Sequence, residues 1–204
     1  RMFFTVTEDG CGVQKRCYYF SETFAAIGCA ELYKATGVEE VLKSAETFFD
    51  IAYKCFKGEI YTQPKFNADV RDTKALSPVM IMLSTAQVMR SMDTDKKQYY
   101  DKIASECLNE ILDGGYLKKA LLESVSKNGD FRDTPDGGIV NPGHSMEAAW
   151  FIMNEGVIKN DSRALESARK IIDMTLPIGW DCKNGGIIAF CDIDGNHLFS
   201  LSGT

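Results

Sequence analysis

Apolar residues recur at helical spacing in six stretches of this chain, and glycine or proline closes almost every one of them. Met2 to Val6 is a short strand-like run closed by the turn Glu8-Asp9-Gly10, and Val13 to Phe20 reads as its return strand. Ser21 is a good N-cap for a first helix, Glu22 to Ala35, stopped by Gly37. A second helix, from about Val38 to Lys57, puts Val41, Ala45, Phe48, Phe49 and Ala52 in register and ends at Gly58. Tyr61 to Lys74 is polar and irregular and reads as a loop. Ser77-Pro78 opens a very apolar third helix, Val79 to Arg90, with Pro78 near the first helical position, where it is tolerated. Asp93 or Thr94 caps a fourth, about Asp95 to Leu112, closed by Gly114-Gly115. Leu117 to Phe131 reads as a hairpin with Lys127-Asn128-Gly129-Asp130 at its tip. A glycine-rich loop, Thr134 to Gly143, leads into a fifth helix that ends near Gly156. Asp161 or Ser162 caps a sixth, ending before Pro177, and Trp180 to His197 holds two more strand-like pieces.

The order is therefore helix pair, loop, helix pair, hairpin, helix pair. The first member of each pair is apolar almost all round, which predicts burial on most sides. The second member is amphipathic, with Lys and Glu on one face, which predicts an outer layer. Strands are too few and short for a sheet-based fold, so the class is all-α, and three such hairpins make half of a closed double ring of helices. A helical solenoid is the structural competitor. Solenoid repeats rarely insert a β-hairpin and a long glycine loop before one helix, which favours the ring.

Composition narrows the partners. The 204 residues carry a formal net charge of −6, with no basic stripe to neutralise phosphates, which argues against nucleic acid. No apolar run approaches bilayer length, which argues against a membrane-spanning role. Seven cysteines, an odd number without a CxxC pair, read as free thiols in a reducing cytoplasm. Two histidines far apart, without ligand spacing, predict no metal site. The chain begins at Arg1 and stops just past a strand-like segment, so residues 1–204 are expected to be a single domain that is a fragment of a larger one.

The stretch with most chemistry in it is Asn141-Pro142-Gly143-His144-Ser145-Met146-Glu147-Ala148-Ala149-Trp150. Pro-Gly breaks what precedes it, and an apolar helix follows at once. His144 and Glu147 are three apart, on one face of its first turn. An imidazole beside a carboxylate at a helix start suits a general acid/base; a capped helix with a hydrogen-bonded core histidine is the alternative from this motif alone.

Asn141-Pro142-Gly143-His144 followed by Glu147 and Trp150 resembles the signature of the N-acylglucosamine 2-epimerase family, which takes in the renin-binding protein. Three further segments are similar in the same order: Val6 to Gly10 with Lys15 to Phe24, Pro78 to Leu83, and Gly179 to Asp181 with Gly185-Gly186 and Asp192 to Gly195. The resemblance implies an (α/α)6 barrel (toroid), of which this chain is about three helical hairpins with small β-hairpins in the loops. It implies an isomerase that interconverts N-acetylglucosamine and N-acetylmannosamine by deprotonation and reprotonation at C2. His144 matches one of the family's two catalytic histidines, and Glu147 the carboxylate that orients it. The second histidine lies downstream in the family and an essential arginine upstream of Arg1, so the chain alone is expected to hold half of the site and to be inactive. His197 does not match the second histidine and reads as an exposed turn residue.

With a sugar as substrate, Arg16, Tyr19, Glu22, Asn141 and Trp150 are the candidates for holding it. Glu22 opens an inner helix and either meets the sugar or Arg16, or only complements the helix dipole. Tyr19 and Trp150 either stack on a sugar ring or belong to the core. The chemistry needs no cofactor. Some family members take ATP as an activator, and no Walker-type loop is present here. A cytoplasmic homodimer with a small amino sugar as substrate is the expected setting. Cellobiose 2-epimerases and aldose-ketose isomerases are the related alternatives, and Met80 and Met82, where those enzymes tend to carry a further histidine, favour the N-acyl sugar branch. A glycoside hydrolase on the same barrel and a non-catalytic protein-binding relative are the competitors from other classes.

Overall fold

The structure is a computed structural model that describes residues 2–14, 18–62, 72–134 and 136–196. They fall into two compact units, Arg1–Arg71 with Ile81–Ser105, and Asp72–Met80 with Glu106–Thr204.

The first unit starts with a two-stranded antiparallel hairpin, β1 (Thr5–Val6) and β2 (Gly12–Gln14). Helix α1 (Phe20–Thr36) follows and is closed by Gly37, whose φ of 68° is a left-handed cap that glycine adopts without strain. Helix α2 (Glu39–Phe56) has Glu39 and Glu40 in its first turn, where the exposed N–H groups favour negative charge. It buries Ala45, Phe49, Ala52 and Cys55, a single stripe at helical spacing. The two helices pack on one another through small residues, with Ala26, Ala30, Ala45 and Ala52 fully buried. Helix α3 (Leu76–Met92) and helix α4 (Lys97–Asp113) each contribute one end to this unit. Their junction is organised by Asp93, which is 3% exposed and accepts from the N–H groups of Asp95 and Lys96 and from the Tyr100 hydroxyl, all at 3.1 Å. Tyr100 in turn meets Phe49 edge-on at 5.0 Å, a geometry worth about 0.5–1.5 kcal/mol beyond the area it buries.

The second unit is built on two short antiparallel pairs and a helical hairpin. Strand β3 (Thr73–Ala75) pairs with β4 (Ser124–Ser126), and β5 (Ile139–Val140) pairs with β6 (Cys191–Asp192). Helix α5 (Pro142–Lys159) is followed after two residues by α6 (Ser162–Gly179), and the short connection makes them antiparallel neighbours. Asn160 closes α5 with φ 52°, and the Asp161 side chain accepts from the N–H groups of Arg163 and Ala164 to start α6.

The six helices stand where the hydrophobic periodicity predicts them, and five local readings need correction. Ser21 is not the N-cap of α1: the helix already starts at Phe20, and its cap position is Tyr19, which makes no side-chain cap hydrogen bond. Within Tyr61 to Lys74 the last two residues belong to β3, and residues 63–71 lie outside the described ones. In Leu117 to Phe131 the turn at Ser126 to Asp130 is present, but β4 pairs with β3 rather than with a local partner. Helix α5 runs past Gly156, because that glycine is a close-approach point: a Cβ there would come within 3.0 Å of Leu165. Helix α6 runs through Pro177 to Gly179, since a proline so near the C-terminal end removes a single N–H from the ladder. The first helices are also not buried on all sides. Phe24 and Leu32 of α1 and Trp150, Val157 and Ile158 of α5 are all more than half exposed. Among the described residues no helix is long and apolar enough to cross a membrane, and no cluster of three or more His, Cys, Asp or Glu fits a metal ion.

Candidate active site

The start of α5 is fixed from three directions. Asn141 has extended backbone and its side-chain oxygen accepts from the His144 N–H at 3.0 Å, while its carbonyl accepts from the Ser145 N–H at 3.0 Å. Pro142 occupies the first helical position, where its missing N–H costs nothing. Gly143 keeps clear of the cap, since a Cβ there would stand 3.2 Å from the Asn141 oxygen. Gly179, at the end of α6, lets the two helices close on each other: a Cβ on it would sit 2.5 Å from Pro142. Together these contacts leave little freedom to the backbone that carries His144.

The imidazole of His144 is held by Glu123. Its Nδ1 lies 3.0 Å from both carboxylate oxygens, with the His144 and Glu123 side chains 35% and 19% exposed. A carboxylate only accepts, so Nδ1 carries the hydrogen and donates it, and in the neutral ring Nε2 is the nitrogen with the lone pair. No described residue hydrogen-bonds Nε2. The Glu123 hydrogen bond raises the pKa of His144 above its ordinary value, burial pulls the other way, and the negative charges of Glu123 and Glu147 add to the rise.

Glu123 is the residue that spacing along the chain missed. Glu147 is exposed and makes no hydrogen bond to the ring; it acts on His144 only through its charge. A first-turn histidine lies at the helix end, where residues of the preceding chain can reach its ring. There it meets the segment just before β4. A signal for Glu123 existed only in the tertiary pairing: Leu76 N–H donates to the Glu123 carbonyl and Glu123 N–H donates to the Ile139 carbonyl, at 2.9 and 3.0 Å.

The other candidates divide by position. Asn141 is next to His144 and its side-chain oxygen serves as the helix cap. Trp150, two turns along α5, is 59% exposed and leans on Phe151 at 5.1 Å between ring centres. Tyr19 and Glu22 belong to the first unit. Tyr19 is buried at the start of α1, with its ring edge-on to Phe20 and Phe56. Glu22 is 1% exposed and accepts from the Met2 N–H at 2.8 Å. Arg16 and His197 lie outside the described residues.

The family model for N-acylglucosamine 2-epimerase (GlcNAc 2-epimerase) matches residues 1–200. The N-acylglucosamine 2-epimerase of Mus musculus is 27% identical over 200 residues, covering 94% of this chain and 46% of that protein. The chain spans about half the length of the curated relatives it matches. Among solved structures, the cellobiose 2-epimerase of Spirochaeta thermophila superposes with a TM-score of 0.73 at 17% identity, over 96% of this chain and 52% of that one. The GH76A α-1,6-mannanase of Salegentibacter sp. superposes with a TM-score of 0.65 at 16% identity, over 88% of this chain and 47% of that one. At such identities the likeness speaks for the fold alone, and the fold class is all-α of the (α/α)6-barrel type.

Proposed function

The chain belongs to the N-acylglucosamine 2-epimerase family, and from that premise we propose that the full-length protein is a carbohydrate 2-epimerase that interconverts N-acetylglucosamine and N-acetylmannosamine, with His144 as one of its acid/base groups. The observation that carries this reading is the partly exposed imidazole whose Nδ1 is held by Glu123, so that Nε2 is left to exchange a proton. The reaction starts from the open-chain aldehyde, where the C2 hydrogen is weakly acidic because the electron pair left behind spreads onto the aldehyde oxygen. Nε2 takes that proton, the C1–C2 bond gains double-bond character, and the oxygen carries the negative charge. A proton delivered to the opposite face of C2 then restores the aldehyde with inverted configuration. A base with a pKa near neutrality suits both removal and return, and a group on the far side of the sugar is required for inversion.

The preference for an N-acyl sugar rests on sequence relatives that share 27% of residues over almost the whole chain, against cellobiose 2-epimerases that share the fold. Met80 and Met82, both buried on α3, favour the same branch. On this reading no cofactor takes part in the chemistry, ATP acts at most as an activator, and the working form is a cytoplasmic homodimer.

The test is incubation of full-length protein with N-acetylmannosamine in deuterated water, with and without ATP, followed by NMR. Deuterium at C2 and the appearance of N-acetylglucosamine are expected, and both should vanish in His144→Asn. Exchange that persists undiminished in that variant overturns the assignment of His144.

A further inference from the structure

We infer that Glu123, rather than the helix neighbour Glu147, is the positioning residue for His144: it fixes which ring nitrogen is free to move a proton. The inference rests on the epimerase reading for its kinetic consequences, and on geometry alone for the rest. Three observations converge on Glu123. Its two oxygens are equidistant from Nδ1, at 3.0 Å each, so the ring is centred on the carboxylate and not bound to one edge of it. Its backbone is held on both sides, with the carbonyl accepting from Leu76 N–H and the N–H donating to the Ile139 carbonyl. The same Ile139 belongs to β5, which ends at Val140, directly before the Asn141 cap that accepts from the His144 N–H.

The carboxylate and the helix start that bears the imidazole are thus tied to one backbone frame. A shift of β5 moves both together, and their separation is preserved. Glu147 rides on the same helix as His144, but it is exposed and makes no hydrogen bond to the ring.

The chemical consequence is a choice of tautomer. An imidazole free in water carries its hydrogen mainly on Nε2, which would turn the outward nitrogen into a donor and leave it unable to take a proton from carbon. Glu123 accepts from Nδ1–H and reverses that preference, so that neutral His144 presents a lone pair outward and charged His144 presents a hydrogen. Both forms are needed by a group that removes a proton in one direction and returns it in the other.

Ring nitrogen NMR of the full-length protein labelled with ¹⁵N-histidine decides the matter, with the His144 signals assigned by their loss in His144→Asn. At a pH where the ring is neutral, wild type should show hydrogen on Nδ1 and a bare Nε2; hydrogen on Nε2 overturns the inference. In Glu123→Gln the His144 titration should move to lower pH, and kcat should fall about 10- to 100-fold with KM within about threefold, as when the partner that orients a reactive imidazole is removed. Glu123→Asp, which keeps the charge on a shorter arm, should recover part of kcat and most of the titration shift. Unchanged titration and kcat in Glu123→Gln overturn the inference as well. Should Glu123→Gln fail to fold, the wild-type spectrum alone decides between the two tautomers. A wild type with hydrogen on Nδ1 that moves no C2 proton in any sugar refutes the epimerase reading and supports the tautomer assignment.

Discussion

Helices α1 and α5 both open with a polar side chain in their first turn, and the two starts are built to opposite ends. At α1 the N-cap residue is Tyr19, which offers no side-chain cap, and the first turn buries Glu22 and Thr23. Glu22 is used inside the unit, holding the Met2 N–H at 1% exposure. At α5 the cap is a proper Asn141, the first helical residue is Pro142, and the polar side chain of the first turn remains about one-third exposed. One start uses its carboxylate to fasten the chain that precedes it. The other recruits a carboxylate from a distant segment to fasten an imidazole that still faces outward. A charged or titratable residue at a helix start is therefore a poor sign of function by itself, and what its partner leaves exposed is the better one.

The largest effect should separate the two starts cleanly. Replacing His144 with Asn keeps a polar group of similar reach but removes the titrating nitrogen, and should cost at least about 10³-fold in kcat for C2 exchange with the fold intact. Glu22→Gln should instead cost stability, about 1–3 kcal/mol, because it puts an amide NH2 with donors to satisfy into the buried place where a carboxyl group accepts from the Met2 N–H. Thermal unfolding and activity per folded molecule tell the cases apart. A Glu22→Gln protein that is fully folded and has lost kcat would mean that Glu22 reaches the sugar, and the contrast between the two starts would fall.

Most of the helical frame was legible in the sequence because helix signals are local. Gly37 closes α1, Asp93 organises the start of α4 and Asp161 that of α6, all at the places where residue type and spacing put them. The motif around Asn141 and His144 was legible for the same reason, since a cap, a proline and a first-turn histidine are neighbours in the chain. Glu123 was not. It lies 21 residues before His144, and it is aligned by β3 pairing with β4 across some fifty residues of chain. Nothing in the period of a three-residue strand reports its partner, so Leu117 to Phe131 has the pattern of a closed hairpin although its local pairing is confined to the Leu117–Leu121 bridge and the Ser126–Asp130 turn. Helical spacing points to Glu147 because it records which residues share a helix face, and it does not record a carboxylate that another segment brings to the same ring.

A smaller effect tests how much the cap itself contributes. Asn141→Ala removes the acceptor of the His144 N–H and should lower stability by about 1 kcal/mol, read from denaturant midpoints. The loss of one hydrogen bond should also loosen His144, so kcat should fall several-fold while the ring keeps its Nδ1 partner. Were kcat untouched, the proline and the Gly179 contact would be sufficient to hold the start of α5, and the side-chain cap would be only a stability device.

The smallest effect is a pH dependence whose sign follows from the His144–Glu123 pair. The folded state raises the histidine pKa, so the pair stabilises the fold fully below the unfolded histidine value of about 6.5 and loses that contribution as the pH rises through the folded value. Glu123→Gln lacks the contribution at every pH. The difference in unfolding midpoint between wild type and Glu123→Gln should thus be widest between about pH 5 and 6.5, where the ring is charged, and should narrow at alkaline pH. The same comparison on Glu22→Gln should show no such narrowing, since no histidine faces that carboxylate among the described residues. A gap that stayed constant with pH would mean that the ring is neutral throughout and that Glu123 holds it by hydrogen bonding alone.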